Sequence, residues 1–135
     1  MEPYLQPSKT HRTIGWILSG LVILFLLFDS IGKLLQPDEV IKATVELGYP
    51  ESVLTGLGVV LLISTLLYAF PKTSLTGAVL LTAYLGGAVA THVRLEQPWF
   101  SHTLFPVYVG IVLWAGLLLR RPALKNQFCL STKIK

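Results

Sequence analysis

Four long apolar stretches dominate the pattern of hydrophobic and polar positions along the chain. They cover residues 14–35, 53–70, 75–92 and 104–119, and the only formally charged residues inside them are Asp29 and Lys33. A bilayer core about 30 Å thick is crossed by roughly 20 helical residues. The first two stretches meet that length, the third reaches it with Val93, and the fourth gains a turn or more from residues 99–103.

The stretches lack the two-residue alternation that is typical of membrane β-strands. Backbone N–H and C=O groups in lipid must find partners within the chain, which leaves the helix as the remaining choice. The pattern therefore predicts an all-α integral membrane bundle of four transmembrane helices, at about 14–35, 53–70, 75–93 and 100–119. A cleaved signal peptide is the alternative for the first stretch, but its length and the lack of a small-residue cleavage site after Phe28 favour a retained anchor.

The segment 37–48, between the first two spans, is predicted to form a short helix. Pro37 opens it, Asp38 and Glu39 occupy its first turn, and Gly48 ends it. Its apolar residues share one face, so we expect it to lie along the membrane surface as an interfacial helix. The whole chain, 1–135, then forms a single membrane domain that closes with a basic tail at 120–135.

Composition supports this class of protein and excludes others. Hydrophobic residues make up 53% of the chain and charged residues 13%, against about 45–50% and about 25% in soluble domains, and the mean hydropathy is +0.65. Such a chain is too apolar for intrinsic disorder and has too few charges to cover a soluble enzyme.

The charges are divided between the two sides of the predicted bundle. Most of the 11 lysines and arginines lie in the amino terminus, the second connection and the carboxyl tail, whereas the acids at 38–51 and Glu96 lie on the other side. Because basic residues favour the cytoplasm, both termini are expected to be cytoplasmic. The net charge of +4 thus indicates a basic inner face that suits anionic lipid of the bilayer, and no nucleic-acid partner is predicted.

Asp29 and Lys33 are candidates for a functional site because they lie inside the first span. Their i,i+4 spacing puts them on one face of the helix, in the order that favours an ion pair. A structural interpretation is that Lys33 extends to the outer surface while Asp29 pairs with it and fixes packing. The functional interpretation is a polar pocket in the outer half of the bundle.

The end of the third span adds further polar candidates to this leaflet. Tyr84, Ala88 and His92 follow one another at steps of four and share a stripe, and His102 precedes the fourth span on the same side. Arg94 lies about 200° around the helix from His92, so we expect His92 to face the bundle and Arg94 to reach the lipid head groups. A hydrogen-bonded structural role for His92 is the alternative, and the hydroxyl of Tyr84 needs an internal partner.

Small residues form two rows on the third span, Ala83–Gly87–Thr91 and Gly86–Ala90. Such rows favour close packing within the bundle, and the alternative is a groove for a ligand tail or a partner helix.

The single cysteine, Cys129, excludes an intramolecular disulfide. No catalytic residue, metal site or cofactor is predicted.

Several strings of the sequence are similar to one known family. The similarity is strongest in 85–94 (LGGAVATHVR) and 113–122 (LWAGLLLRRP), and extends to 28–37 (FDSIGKLLQP) and 47–50 (LGYP). On these residues the chain resembles the DoxX-like family of small four-helix bacterial membrane proteins, over nearly all of the sequence after Thr13. Many relatives carry a glutamate early in the second helix, which 56–61 (GLGVVL) lacks.

The resemblance implies a bacterial inner (plasma) membrane protein. Because the family is named after a membrane subunit of a quinone-linked oxidoreductase, and distant relatives are treated as assembly helpers, it favours a non-catalytic subunit or assembly partner over an enzyme. Such a protein would have a membrane protein partner or form a homo-oligomer. The alternative is a protein that binds a small apolar ligand, such as a quinone or lipid, in a pocket of Asp29, Lys33, Tyr84, His92 and His102. Transport is a third class, which would require oligomerisation.

Overall fold

The computed structural model describes residues 8–129, which form helices and turns without a strand. The elements in chain order are α1 (Lys9–Leu35), α2 (Asp38–Glu46), a 3-10 turn (Glu51–Val53), α3 (Leu54–Ala69), α4 (Ser74–Arg94), a π-helical turn (Trp99–Thr103), α5 (Phe105–Arg120) and α6 (Pro122–Cys129). Four helical segments are long and apolar enough to cross a membrane: Lys9–Leu35, Glu51–Ala69, Ser74–Arg94 and Trp99–Arg120. The predicted all-α fold with four spans is confirmed.

The ends of the first two helices follow from local sequence chemistry. Ser8 caps α1 by accepting a hydrogen bond from the backbone N–H of His11 at 3.3 Å, so the helix begins earlier than the apolar stretch alone indicates. It ends at Gln36, which adopts a left-handed conformation and donates its N–H to the carbonyl of Gly32. Pro37 then caps α2, and the chain turns at Gly48 with φ +87°.

The four long helices form a closed ring in which each packs against two neighbours, in the order α1, α3, α4, α5 and back to α1. Leucines from all four helices meet at the centre and are buried there: Leu26, Leu61, Leu81, Leu113 and Leu117. We call the end of the bundle with α2 and the π-helical turn the α2 end, and the opposite end, with Lys9 and Arg120, the terminal end. The expected tail at 120–135 contains α6, and residues 130–135 lie outside the described residues.

Close helix crossings depend on glycines other than those of the two predicted rows. A Cβ atom on Gly77 would overlap the backbone nitrogen of Tyr68, and one on Gly116 would lie 2.9 Å from the backbone nitrogen of Ser19. By contrast, a Cβ atom on Gly86 or Gly87 would meet nothing within 4 Å. The prediction that these rows pack the bundle is therefore wrong at both glycines, because neither of them lies at a close helix crossing.

A buried polar cluster closes the terminal end. The hydroxyl of Tyr68 donates to the carbonyl of Leu113 at 2.7 Å, and Arg120 Nη2 donates to the carbonyl of Tyr68 at 2.6 Å. The guanidinium also lies over the rings of Trp16 and Tyr68, 4.8 and 4.6 Å from their centroids. Because Arg120 is only 4% exposed, these contacts hold its charge inside the bundle and connect α1, α3 and α5.

Candidate functional site

A cavity of about 420 Å³ lies in the half of the bundle toward the α2 end. Its polar lining comes from α1, α2, α4 and the segment after α2, and consists of Asp29, Lys33, Thr44, Tyr49, Tyr84, Thr91 and His92. Its apolar lining includes Phe25, Leu26, Leu57, Leu85, Phe105, Pro106 and Val109. We call this space the polar cavity. Its volume falls within the range of about 300–1,000 Å³ that is usual for small-molecule sites, which also combine apolar walls with a few polar groups.

Asp29 and Lys33 form the ion pair that their spacing predicts. Lys33 Nζ donates to Asp29 Oδ1 at 2.5 Å, and the side chains are 17% and 38% exposed, respectively. Within residues 8–129, Asp29 Oδ2 and the other two ammonium protons make no hydrogen bond. The pair therefore lines the polar cavity with one acceptor and two donors still available.

Tyr84 lines the same cavity from α4. The expected internal partner is missing, because its hydroxyl makes no hydrogen bond to any described residue. The neighbouring Tyr49 differs in this respect, since its hydroxyl lies 2.6 Å from Thr91 Oγ1. Thr91 donates its own proton to the carbonyl of Gly87 at 2.9 Å, so Tyr49 is the donor of that pair. Tyr84 thus adds a free phenolic hydroxyl to the cavity.

His92 lines the polar cavity at the last turn of α4. Its Nδ1 is hydrogen-bonded to the side-chain oxygen of Gln97. An amide oxygen can only accept, so in this arrangement Nδ1 carries the proton and Nε2 remains an acceptor. His102 does not line the cavity. Its ring packs edge-to-face on that of His92, with centroids 6.2 Å apart, and its Nδ1 bonds to Ser101 Oγ at 2.7 Å.

The structure therefore brings four of the five candidates into one cavity and places the fifth behind His92. The polar lining groups can both donate and accept hydrogen bonds, and the rest of the lining is apolar, so the arrangement suits a compact molecule with a polar head and an apolar body. Among the described residues, no group of three His, Cys, Asp or Glu side chains is placed to hold a metal ion.

One wall of the polar cavity comes from a segment that the sequence did not connect with the site. Thr44 of α2 and Tyr49 both line the cavity, and neither is among the candidates that the sequence provides. Arg94 Nη2 donates to the carbonyl of Leu47 at 2.7 Å and lies against Gly48. Arg94 therefore holds the α2 segment against the end of α4. No local pattern shows this contact, because it joins residues far apart in the chain.

Comparison with known proteins places the cavity within a matched region. A family model described as the DoxX-like family matches residues 17–116, which include every residue of the polar cavity. Neither the curated proteins nor the solved structures gave a match.

Proposed function

The chain belongs to the DoxX-like family, and we propose that it is a multi-pass membrane protein that binds a small amphipathic molecule in the polar cavity. The observation that carries this proposal is the set of four available polar groups beside an apolar wall. A quinone or a lipid has the required chemistry, since each joins a compact polar head to an apolar body. No catalytic role is assigned to the lining residues.

The available groups specify what the head of the ligand would offer. Lys33 donates and Asp29 accepts, while the hydroxyl of Tyr84 can do either. A carbonyl oxygen of a quinone would accept from Lys33 or Tyr84, and a hydroxyl of a lipid or a quinol would also donate to Asp29 or His92. Polar groups without partners are costly inside a membrane protein, so a bound head group would stabilise this half of the bundle.

Gly87 provides a direct test, because it lines the polar cavity and a Cβ atom there would meet nothing within 4 Å. Gly87→Leu introduces a side chain into the cavity at a position where its Cβ atom meets no neighbour. Gly20→Leu is the matched control, since Gly20 is also a mid-helix glycine with nothing within 4 Å, on α1 and outside the cavity. We expect native mass spectrometry of the wild type and of Gly20→Leu to show a retained small molecule. Gly87→Leu should lose it, and equal retention in all three proteins would refute the proposal.

A second function, a non-catalytic subunit or assembly partner of a membrane complex, is favoured by the surface of α4. Gly86 and Ala90 are exposed one turn apart, and small residues in such a row allow another helix to approach closely. A quinone-linked redox complex is one such assembly. Purification from native membranes after cross-linking would show a stoichiometric protein partner, and Gly86→Leu should release that partner. A partner unaffected by Gly86→Leu would exclude this face as its binding surface.

For localisation we propose the bacterial inner membrane with both termini cytoplasmic. The distribution of lysine and arginine supports this orientation, because Lys9, Arg12 and Lys72 share the terminal end with the basic tail. Single cysteines at Lys72 and Glu96, in a Cys129→Ser background, test it by labelling whole cells with a membrane-impermeant maleimide. Position 96 should be labelled and position 72 protected, and the reverse pattern would invert the topology.

A further inference from the structure

A second cavity, of about 510 Å³, lies on the outer side of the seam between α4 and α5. We call it the apolar groove. Gly86 and Gly110 give the groove its depth, since a Cβ atom on Gly86 would meet nothing within 4 Å and one on Gly110 would meet only Leu85 Cδ1, at 3.8 Å. Glycine inside a helix costs up to about 1 kcal/mol relative to alanine, and the bundle gains no close crossing at Gly86 in return.

The polar groups that line the apolar groove are already satisfied. Trp114 Nε1 donates to Thr82 Oγ1 at 2.8 Å, and Thr82 Oγ1 donates in turn to the carbonyl of Ala78 at 2.7 Å. The groove therefore presents hydrocarbon to an occupant. The polar cavity differs, because several of its side chains have hydrogen-bonding capacity to spare.

The two spaces share a wall, which consists of Leu85 and Pro106. Leu85 is the part of this wall that has rotatable side-chain bonds, whereas the proline ring is fixed to its backbone. Leu85 and Pro106 thus separate the polar cavity, which has polar lining groups, from the apolar groove, whose lining is mainly hydrocarbon.

We propose that the ligand is a single-chain amphiphile whose head lies in the polar cavity and whose apolar tail passes between α4 and α5 into the apolar groove. This inference rests on the proposed ligand-binding function and deepens it. Lipid tails are as apolar as leucine, so the tail gains little hydrophobic free energy from the groove. The groove instead provides the path that a chain attached to a buried head requires, and it lets the ligand enter sideways from the membrane.

The test uses two probes with one head group: a substituted benzoquinone without a side chain, and the same benzoquinone with a decyl chain. Binding to the protein in lipid nanodiscs is measured for the wild type, for the double variant Gly86→Leu/Gly110→Leu and for Gly20→Leu. The double variant fills the groove at positions where the structure has room. The decyl probe should bind the double variant about tenfold more weakly or worse, as expected when added side chains overpack a filled site. The probe without a tail should bind all three proteins alike.

The outcomes separate this inference from the proposed function. If the double variant binds both probes as the wild type does, the tail route is wrong, while loss of the tailless probe in Gly87→Leu still supports a ligand in the polar cavity. If the double variant loses a protein partner or a dimer instead, the groove receives a helix, and the tail route is again wrong. Failure of both probes to bind the wild type would overturn the quinone-like head and the tail route together. A diazirine in the decyl chain that labels Ile111 in the groove and not Leu21 on α1 would support the route directly.

Discussion

The ion pair of Asp29 and Lys33 gives the sharpest quantitative prediction. Lys33→Met leaves the carboxylate without its partner, and Asp29→Asn leaves the ammonium without its own. At an effective dielectric constant of about 20, charges 2.5 Å apart attract by roughly 7 kcal/mol before the cost of desolvation is subtracted. The 17% and 38% exposure places the pair between exposed helix pairs, worth about 0.3–0.5 kcal/mol, and buried pairs, whose disruption costs about 3–5 kcal/mol.

We therefore expect each single substitution to lower the free energy of unfolding by about 2 kcal/mol, and the double substitution to lower it by less than Lys33→Met alone. Asp29→Asn then partly rescues Lys33→Met, because it removes the orphaned charge. Reversible unfolding in mixed micelles, followed by circular dichroism, measures the cycle. The matched control is Asp38 and Lys42, which have the same spacing on exposed α2 and form no ion pair among the described residues. Losses that simply add for Asp29 and Lys33, as they should for the control pair, would show that the pair does not interact.

Three further predictions concern the frame that holds the site. Gly77→Ala should lower the free energy of unfolding by about 1–3 kcal/mol, because the new Cβ atom meets the backbone of Tyr68. The control is Gly56→Ala, where the Cβ atom meets nothing within 4 Å, and it should be neutral or slightly stabilising in the same assay. Arg120→Lys should lower the unfolding midpoint, because lysine loses the planar stacking and cannot reproduce the bond to the Tyr68 carbonyl; an unchanged midpoint would contradict this role. Arg94→Leu should increase amide hydrogen exchange throughout α2 and weaken ligand retention, whereas unchanged exchange would show that Arg94 does not hold that segment.

The fold was predictable because its main determinant is local. An apolar stretch of a given length specifies a span without any knowledge of its neighbours, and Pro37 and Gly48 mark the limits of α2 in the same way. The use of glycine was not predictable at this level. Gly77 and Gly86 look alike in sequence, yet one allows a backbone crossing and the other lies in open space, because helix rotation in the bundle decides which face is covered.

In the candidate site, too, the residues that the sequence identified lie in patterns within one helix, and the residue that it missed depends on tertiary contacts. Asp29 and Lys33 were found from a spacing within one helix, and Tyr84 and His92 from a stripe of four-residue steps on another. That the two helices face one cavity could not be read from either pattern. Tyr49 was missed because its position depends on contacts of the α2 segment with distant residues, such as its own bond to Thr91.

The two ends of the bundle differ in whether their polar side chains border a cavity. At the terminal end, the Tyr68 hydroxyl and Arg120 connect helices through backbone carbonyls and stacked rings. At the α2 end, Lys33 and Tyr84 line a cavity and keep hydrogen-bonding capacity that no described residue uses. Incomplete pairing alone does not separate the two ends, because Nε and Nη1 of Arg120 are also buried without a hydrogen-bond partner among the described residues. The difference is the cavity that the polar side chains border at the α2 end. A ligand in the polar cavity, as proposed above, would supply partners to Lys33 and Tyr84 and would remove part of the cost of unpaired polar groups in a membrane.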